Sequence, residues 1–147
     1  MQTNQTKIHH EIDEIKRGMR RTWAQIGCLL SEIDETGYWR GDSATFTAWM
    51  SSHAADFGVG LTILWAQLRM VRYYRNTMLG DLRGWGIKSP ADAYDLPEVV
   101  KCDLMEIYSR IANVAPDDVK RALAEKVMTG TARRRELRAT WHAYRNQ

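Results

Sequence analysis

Phe46-Thr-Ala-Trp-Met-Ser-Ser-His-Ala-Ala-Asp-Phe-Gly-Val-Gly-Leu-Thr-Ile-Leu-Trp-Ala-Gln-Leu-Arg-Met-Val-Arg-Tyr-Tyr-Arg-Asn76 is the stretch whose reading decides the fold. Thr45 stands before Phe46, Trp49 and Met50, and a threonine there can cap a short helix that carries those three on one side. Asp56-Phe-Gly-Val-Gly60 interrupts that helix. Leu61, Leu64, Leu68, Val71 and Met78 then recur at helical spacing and mark the apolar face of a longer one. Thr62, Ala66, Arg69, Tyr73 and Asn76 cluster on the opposite side, flanked by Trp65 and Arg72. A short helix, a glycine break and a longer helix with a polar, basic outward face form the helix-turn-helix arrangement. Such a unit lays its second helix in the major groove of DNA, where the early side chains reach base edges. Thr62, Trp65, Ala66 and Arg69 would then be nearest the bases. Arginine can bond guanine at two atoms, and threonine or alanine can meet a thymine methyl. Arg72, Tyr73 and Asn76 would suit phosphates. The same pattern also fits an ordinary helical hairpin with a solvated arginine face.

Upstream, Ile8, Ile12, Ile15, Met19, Trp23, Ile26, Leu30 and Ile33 recur every three or four residues. That predicts one long N-terminal helix, bent at Gly18 and ended by Gly37, before an aromatic turn at Gly37-Tyr-Trp-Arg-Gly41. A stripe this long exceeds what one small domain covers, so Ile8, Ile12, Ile15 and Met19 are expected to form a homodimer seam. Downstream, the glycine-punctuated stretch 80–96 reads as a connecting loop between an N-terminal region, 1–79, and a C-terminal three-helix lobe, 97–147. Pro97 should open the first helix of that lobe, with Val99, Val100, Leu104, Ile107 and Ile111 buried. Pro116, Asp117 and Asp118 start the second, with Val119, Leu123 and Val127 inward and Gly130 at its end. Thr131 should cap the third, whose apolar side is Leu137, Trp141 and Tyr144. No segment alternates with a period of two, so the fold class is all-α.

The 147 residues carry a net charge of only +3, but that charge is unevenly spread. Between Leu61 and Lys88, Arg69, Arg72, Arg75, Arg83 and Lys88 face only Asp81. From Thr131 onward, Arg133, Arg134, Arg135, Arg138 and Arg145 face only Glu136. Concentrated positive charge attracts phosphate backbones, because each neutralised phosphate releases counterions. Arg133, Arg134 and Arg138 are the phosphate contacts expected in this second segment; a solvated face or a salt-bridge surface for a partner protein is the competing reading.

Trp23-Ala-Gln-Ile-Gly-Cys-Leu-Leu-Ser-Glu32, then Phe46-Thr-Ala-Trp-Met50, then Gly60 through Arg69 resembles a domain of unknown function found in phage- and plasmid-borne proteins. In that family a helix with an Ile-Gly-x-Leu core precedes a Phe-x-x-Trp helix and a presumed recognition helix. The likeness covers the first half of the chain. It departs at Asp56-Phe-Gly-Val-Gly60, which replaces a Gly-Ile-Ser type of connection. It implies a regulatory or maintenance role on a mobile element.

Other chemistry finds little footing. There is no glycine-rich phosphate loop and no nucleophile motif. Cys28 and Cys102 lack zinc spacing and read as reduced core thiols. His10 and Glu14 lie one turn apart, as exposed helix residues commonly do. The expectation is therefore no enzyme, no cofactor and no metal. No apolar run reaches the ~18–20 residues that cross a bilayer, and the polar start lacks an export signal, which points to the cytoplasm. The leading expectation is sequence-selective binding of double-stranded DNA; the alternative is a helical adaptor or inhibitor of another protein.

Overall fold

A computed structural model describes residues 2–146, leaving aside the side chains of Gln2 and Thr3. The described residues are helical and contain no strand, in line with the all-α expectation. They fall into two compact units, Met1–Val71 and Arg72–Gln147.

The N-terminal unit holds α1 (Gln2–Lys16), α2 (Trp23–Thr36), a 3₁₀ turn (Tyr38–Gly41), α3 (Phe46–His53), a second 3₁₀ turn (Ala54–Phe57) and most of α4 (Leu61–Tyr73). The expected single long helix is two. The amide of Gly18 donates to the carbonyl of Ile15, and that of Met19 to Glu14, each at 3.0 Å. With Gly18 at φ 92°, these two bonds close the glycine-terminated helix end that satisfies the last carbonyls of a helix. Thr22 starts α2 with a capping box: its Oγ1 accepts from the Gln25 amide at 3.1 Å, and Gln25 Oε1 accepts from the Thr22 amide at 3.2 Å. The apolar period runs unbroken through the interruption because both helices face one core. Ile8 and Ile12 of α1 pack there with Ile26, Leu29, Leu30 and Ile33 of α2 and with Trp49 and Met50 of α3. Ile15 packs against the same cluster, and only Met19, 52% exposed, stays in solvent. The stripe assigned to a dimer seam is thus consumed within the unit itself.

Gly27 decides how α2 meets α4. A Cβ at that position would lie 2.4 Å from Val71 Cγ2 and 2.5 Å from the Gln67 carbonyl oxygen. The two helices cross at a distance only glycine permits. Thr45 caps α3 as expected, its hydroxyl accepting from the Ala48 amide at 3.0 Å. His53, at the end of α3, stacks on Trp49 with ring centres 4.4 Å apart. Its Nδ1 lies 3.0 Å from Asp56 and its Nε2 2.8 Å from Asp42, so the ring ties the loop before α3 to the turn after it.

The C-terminal unit continues the last turn of α4 into a π-helical segment (Tyr74–Met78) and α5 (Leu79–Gly84). It then holds a 3₁₀ turn (Ala93–Asp95), α6 (Cys102–Ala112), α7 (Asp117–Thr129) and α8 (Arg134–Tyr144). The segment read as a loop, 80–96, begins inside α5 and is pinned down. The Tyr74 hydroxyl donates to the Pro90 carbonyl at 2.6 Å, and Trp85 Nε1 donates to Asp117 at 2.9 Å. Pro97 opens a turn, closed by the Val100 amide on the Pro97 carbonyl, and α6 begins only at Cys102. The inward face shifts accordingly. Met105, Tyr108 and Ile111 are buried, Leu104 and Ile107 are partly covered, and Val99 is exposed. Val99 does have a task, since Gly130, which ends α7 at φ 76°, packs so closely that an added Cβ would meet the Val99 side chain at 2.8 Å. Residue 133, not Thr131, occupies the cap position of α8, because the Thr131 amide is used to close the end of α7 on Lys126. Leu137 is buried and Trp141 and Tyr144 are half-buried, as expected.

Among the described residues no helix is long and apolar enough to cross a membrane.

Candidate nucleic-acid interface

The helix-turn-helix reading requires two helices joined by a tight turn. Here the chain leaves the second 3₁₀ turn through Gly58 at φ 71°, passes Val59 and Gly60, and enters α4 at Leu61. Seven residues, including that 3₁₀ turn, separate His53 from Leu61, more than the roughly three or four that join the helices of a standard helix-turn-helix, and glycine holds the left-handed position in the connection.

The ten expected contact residues fare differently. Thr62, in the first turn of α4, and Arg69, two turns on, are both exposed. Trp65 is half-buried and meets Phe46 edge-on, with ring centres 5.6 Å apart, so its ring serves the core. Ala66 is buried, as are Gln67, Leu68, Met70 and Val71 around it. α4 is therefore covered on most sides in its middle and offers its first turn and Arg69 rather than a continuous polar face. Tyr73 is half-buried, and its hydroxyl is sealed without a hydrogen-bond partner among the described residues. Burial, with Asp81 nearby, pushes that hydroxyl up to about 12. It cannot reach a phosphate. Arg72 is half-buried, and Asn76 is exposed within the π-helical segment.

Arg133, Arg134 and Arg138 are all exposed on or beside α8, with Arg135 and Arg145. Leu137 anchors that helix inward, and a 2.6 Å ion pair from Lys126 to Glu136 ties it to α7. Arg134 pairs with Asp103 of α6.

A cleft of about 340 Å³ opens between α6 and α8. The face of α6 contributes Asp103, Glu106, Ile107 and Arg110. The face of α8 contributes Arg134, Arg138, Trp141, His142 and Arg145. Arg110 lies outside both arginine-rich segments of the sequence. The signal that marks it is its spacing of seven from Asp103, which puts both on one helix face. A second concavity of about 580 Å³ surrounds the turn at Gly37 and includes Tyr38, Arg40 and Asp42. Its one arginine is already engaged, with its guanidinium 5.0 Å over the Trp39 ring.

No family model, curated protein or solved structure matches the chain.

Proposed function

We propose that the protein binds double-stranded DNA. The observation that carries this reading is the run of exposed arginines at the start of α8. Arg133 and Arg135 sit where the helix dipole disfavours positive charge, so local helix stability does not account for them, whereas a phosphate backbone does; Arg134 between them is held by Asp103. The glycine turn into α4, followed by exposed Thr62 and Arg69, supports a helix-turn-helix contact in the other unit. The resemblance of the first half to proteins of phages and plasmids makes regulation or maintenance of a mobile element the setting.

Selection from a random duplex library, followed by binding measurements on the selected and scrambled sequences, tests the reading. Arg69→Ala should cost ~1–3 kcal/mol on the selected site and relax preference at one base pair. If no sequence is enriched, or if Arg69→Ala keeps both affinity and preference, α4 is not the recognition helix.

One observation favours the protein adaptor as a second reading. Leu61 and Ile63 flank Thr62 and are 36% and 54% exposed. Paired apolar side chains at a helix start suit a protein surface better than a base edge. A stoichiometric protein complex abolished by Ile63→Glu, together with an absence of DNA affinity, would decide for it.

A further inference from the structure

We propose that the cleft between α6 and α8 is a binding site for a nucleoside monophosphate. The inference goes beyond the DNA reading, with which it shares Arg134 and Arg138, since it concerns a small concave site within the C-terminal unit and a ligand that is not a duplex. Four guanidinium groups, those of Arg110, Arg134, Arg138 and Arg145, line the cleft against two carboxylates, Asp103 and Glu106. Asp103 is paired with Arg134 at the beginnings of the two helices. Arg110, in the last turn of α6, and Arg145, at the end of α8, leave the opposite end rich in cations. The surplus of two positive charges matches a phosphate monoester, which carries nearly two negative charges at neutral pH. The planar fork of arginine fits phosphate oxygens in pairs.

A phosphate alone would leave much of the cleft unused. Half-buried Trp141 and Ile107 add an apolar surface between the charged groups, and an indole face is a platform for a nucleobase. Even while paired, as Asp103 is with Arg134, a carboxylate keeps lone pairs that can accept from a sugar hydroxyl, a task a purely anionic ligand would not need. A volume of about 340 Å³ accommodates one base, one sugar and one phosphate and is at the small end of ligand clefts.

The test is titration calorimetry on the full chain with adenosine and cytidine 5′-monophosphate, with adenosine and with inorganic phosphate as separate arms. A monophosphate should bind one to one, at least ~10-fold tighter than adenosine or phosphate. Arg138→Ala and Arg145→Ala should each weaken it ~10-fold, the usual effect of losing one charge-assisted hydrogen bond. Both side chains are exposed, so circular dichroism of these variants should match the parent. Trp141→Phe should retain binding, because a phenyl ring can still stack. The proposal is overturned if neither monophosphate saturates the protein, or if phosphate alone binds as tightly. It is likewise overturned if the arginine variants bind unchanged, or if an acidic peptide rather than a nucleotide proves to be the arginine-dependent ligand.

Discussion

Gly27 governs the N-terminal unit through the atom it lacks. Alanine there would press on a backbone carbonyl and a buried valine methyl, neither of which can move cheaply. Gly27→Ala should cost ~1–3 kcal/mol, the usual penalty for overpacking, and appear as a lowered midpoint in thermal unfolding. Its partners Gln67 and Val71 are forty and more residues away in the chain, which is why the periodic pattern alone marked Gly27 as nothing more than part of a helix. Two acids on α1 respond to pH in opposite directions. A hydrogen bond from Arg21, 2.8 Å away, holds the Glu14 carboxyl below its ordinary range. Its stabilising contribution is complete above the ordinary value and is lost as pH falls through the lowered one. Arg21→Ala should therefore be less stable than the parent near neutrality, and the difference should close in acid. Burial, and then the charge of Glu32, raises the Glu11 carboxyl. The ionised form is the one the fold disfavours, so Glu11→Gln should gain stability at neutral pH, and the gain should vanish below the ordinary carboxylate range. Urea denaturation of the three proteins between pH 3 and pH 7, about the span over which carboxylates titrate, separates the two signs.

Helix boundaries depend on which backbone groups are satisfied locally, and the break between α1 and α2 can be tested on that basis. Were α1 and α2 one helix, Gly18→Ala would stabilise it by up to ~1 kcal/mol. With Gly18 at φ 92° the same change should destabilise by ~1–2 kcal/mol, even though the space around it is open. Thr22→Ala should cost ~1 kcal/mol by removing the cap of α2. A stabilised Gly18→Ala protein in chemical denaturation would restore the single helix. The elements that could be read from sequence were those with their own signals: Thr45 before α3, Gly37 after α2, and Pro116 with two acids before α7. The Thr22 and Gln25 pair was equally legible, but the unbroken apolar period across residues 8–33 masked it. Pro97 misled because a proline that can begin a helix can also begin a turn, and Val100 closed the turn instead. At the candidate site, Arg133, Arg134 and Arg138 were legible as charge because exposed arginines need no tertiary partner to be exposed. Trp65, Ala66 and Tyr73 were not, since their covering comes from side chains distant in sequence.

Charge is divided between the two units. The C-terminal unit carries fourteen lysines and arginines against ten acids, and the N-terminal unit seven against eight. Affinity for any polyanion should therefore follow the C-terminal unit and its arginines. Arg133→Ala together with Arg138→Ala should weaken binding to all duplexes alike and flatten the dependence of log K on log salt by ~0.9 per lost phosphate contact. Arg134, already paired with Asp103, should contribute less than either. Measuring the slope for parent, double variant and Arg134→Ala checks this, and an unchanged slope in the double variant would return the α8 arginines to solvated surface.

The burial of Trp49 also has an optical consequence. Its indole is 1% exposed and stacked on His53, whereas the other five tryptophans are each partly in contact with water. Sealed from solvent dipoles, Trp49 must emit at the blue edge of the protein's fluorescence. The chain thus carries a native chromophore whose colour reports the integrity of the N-terminal unit without any label.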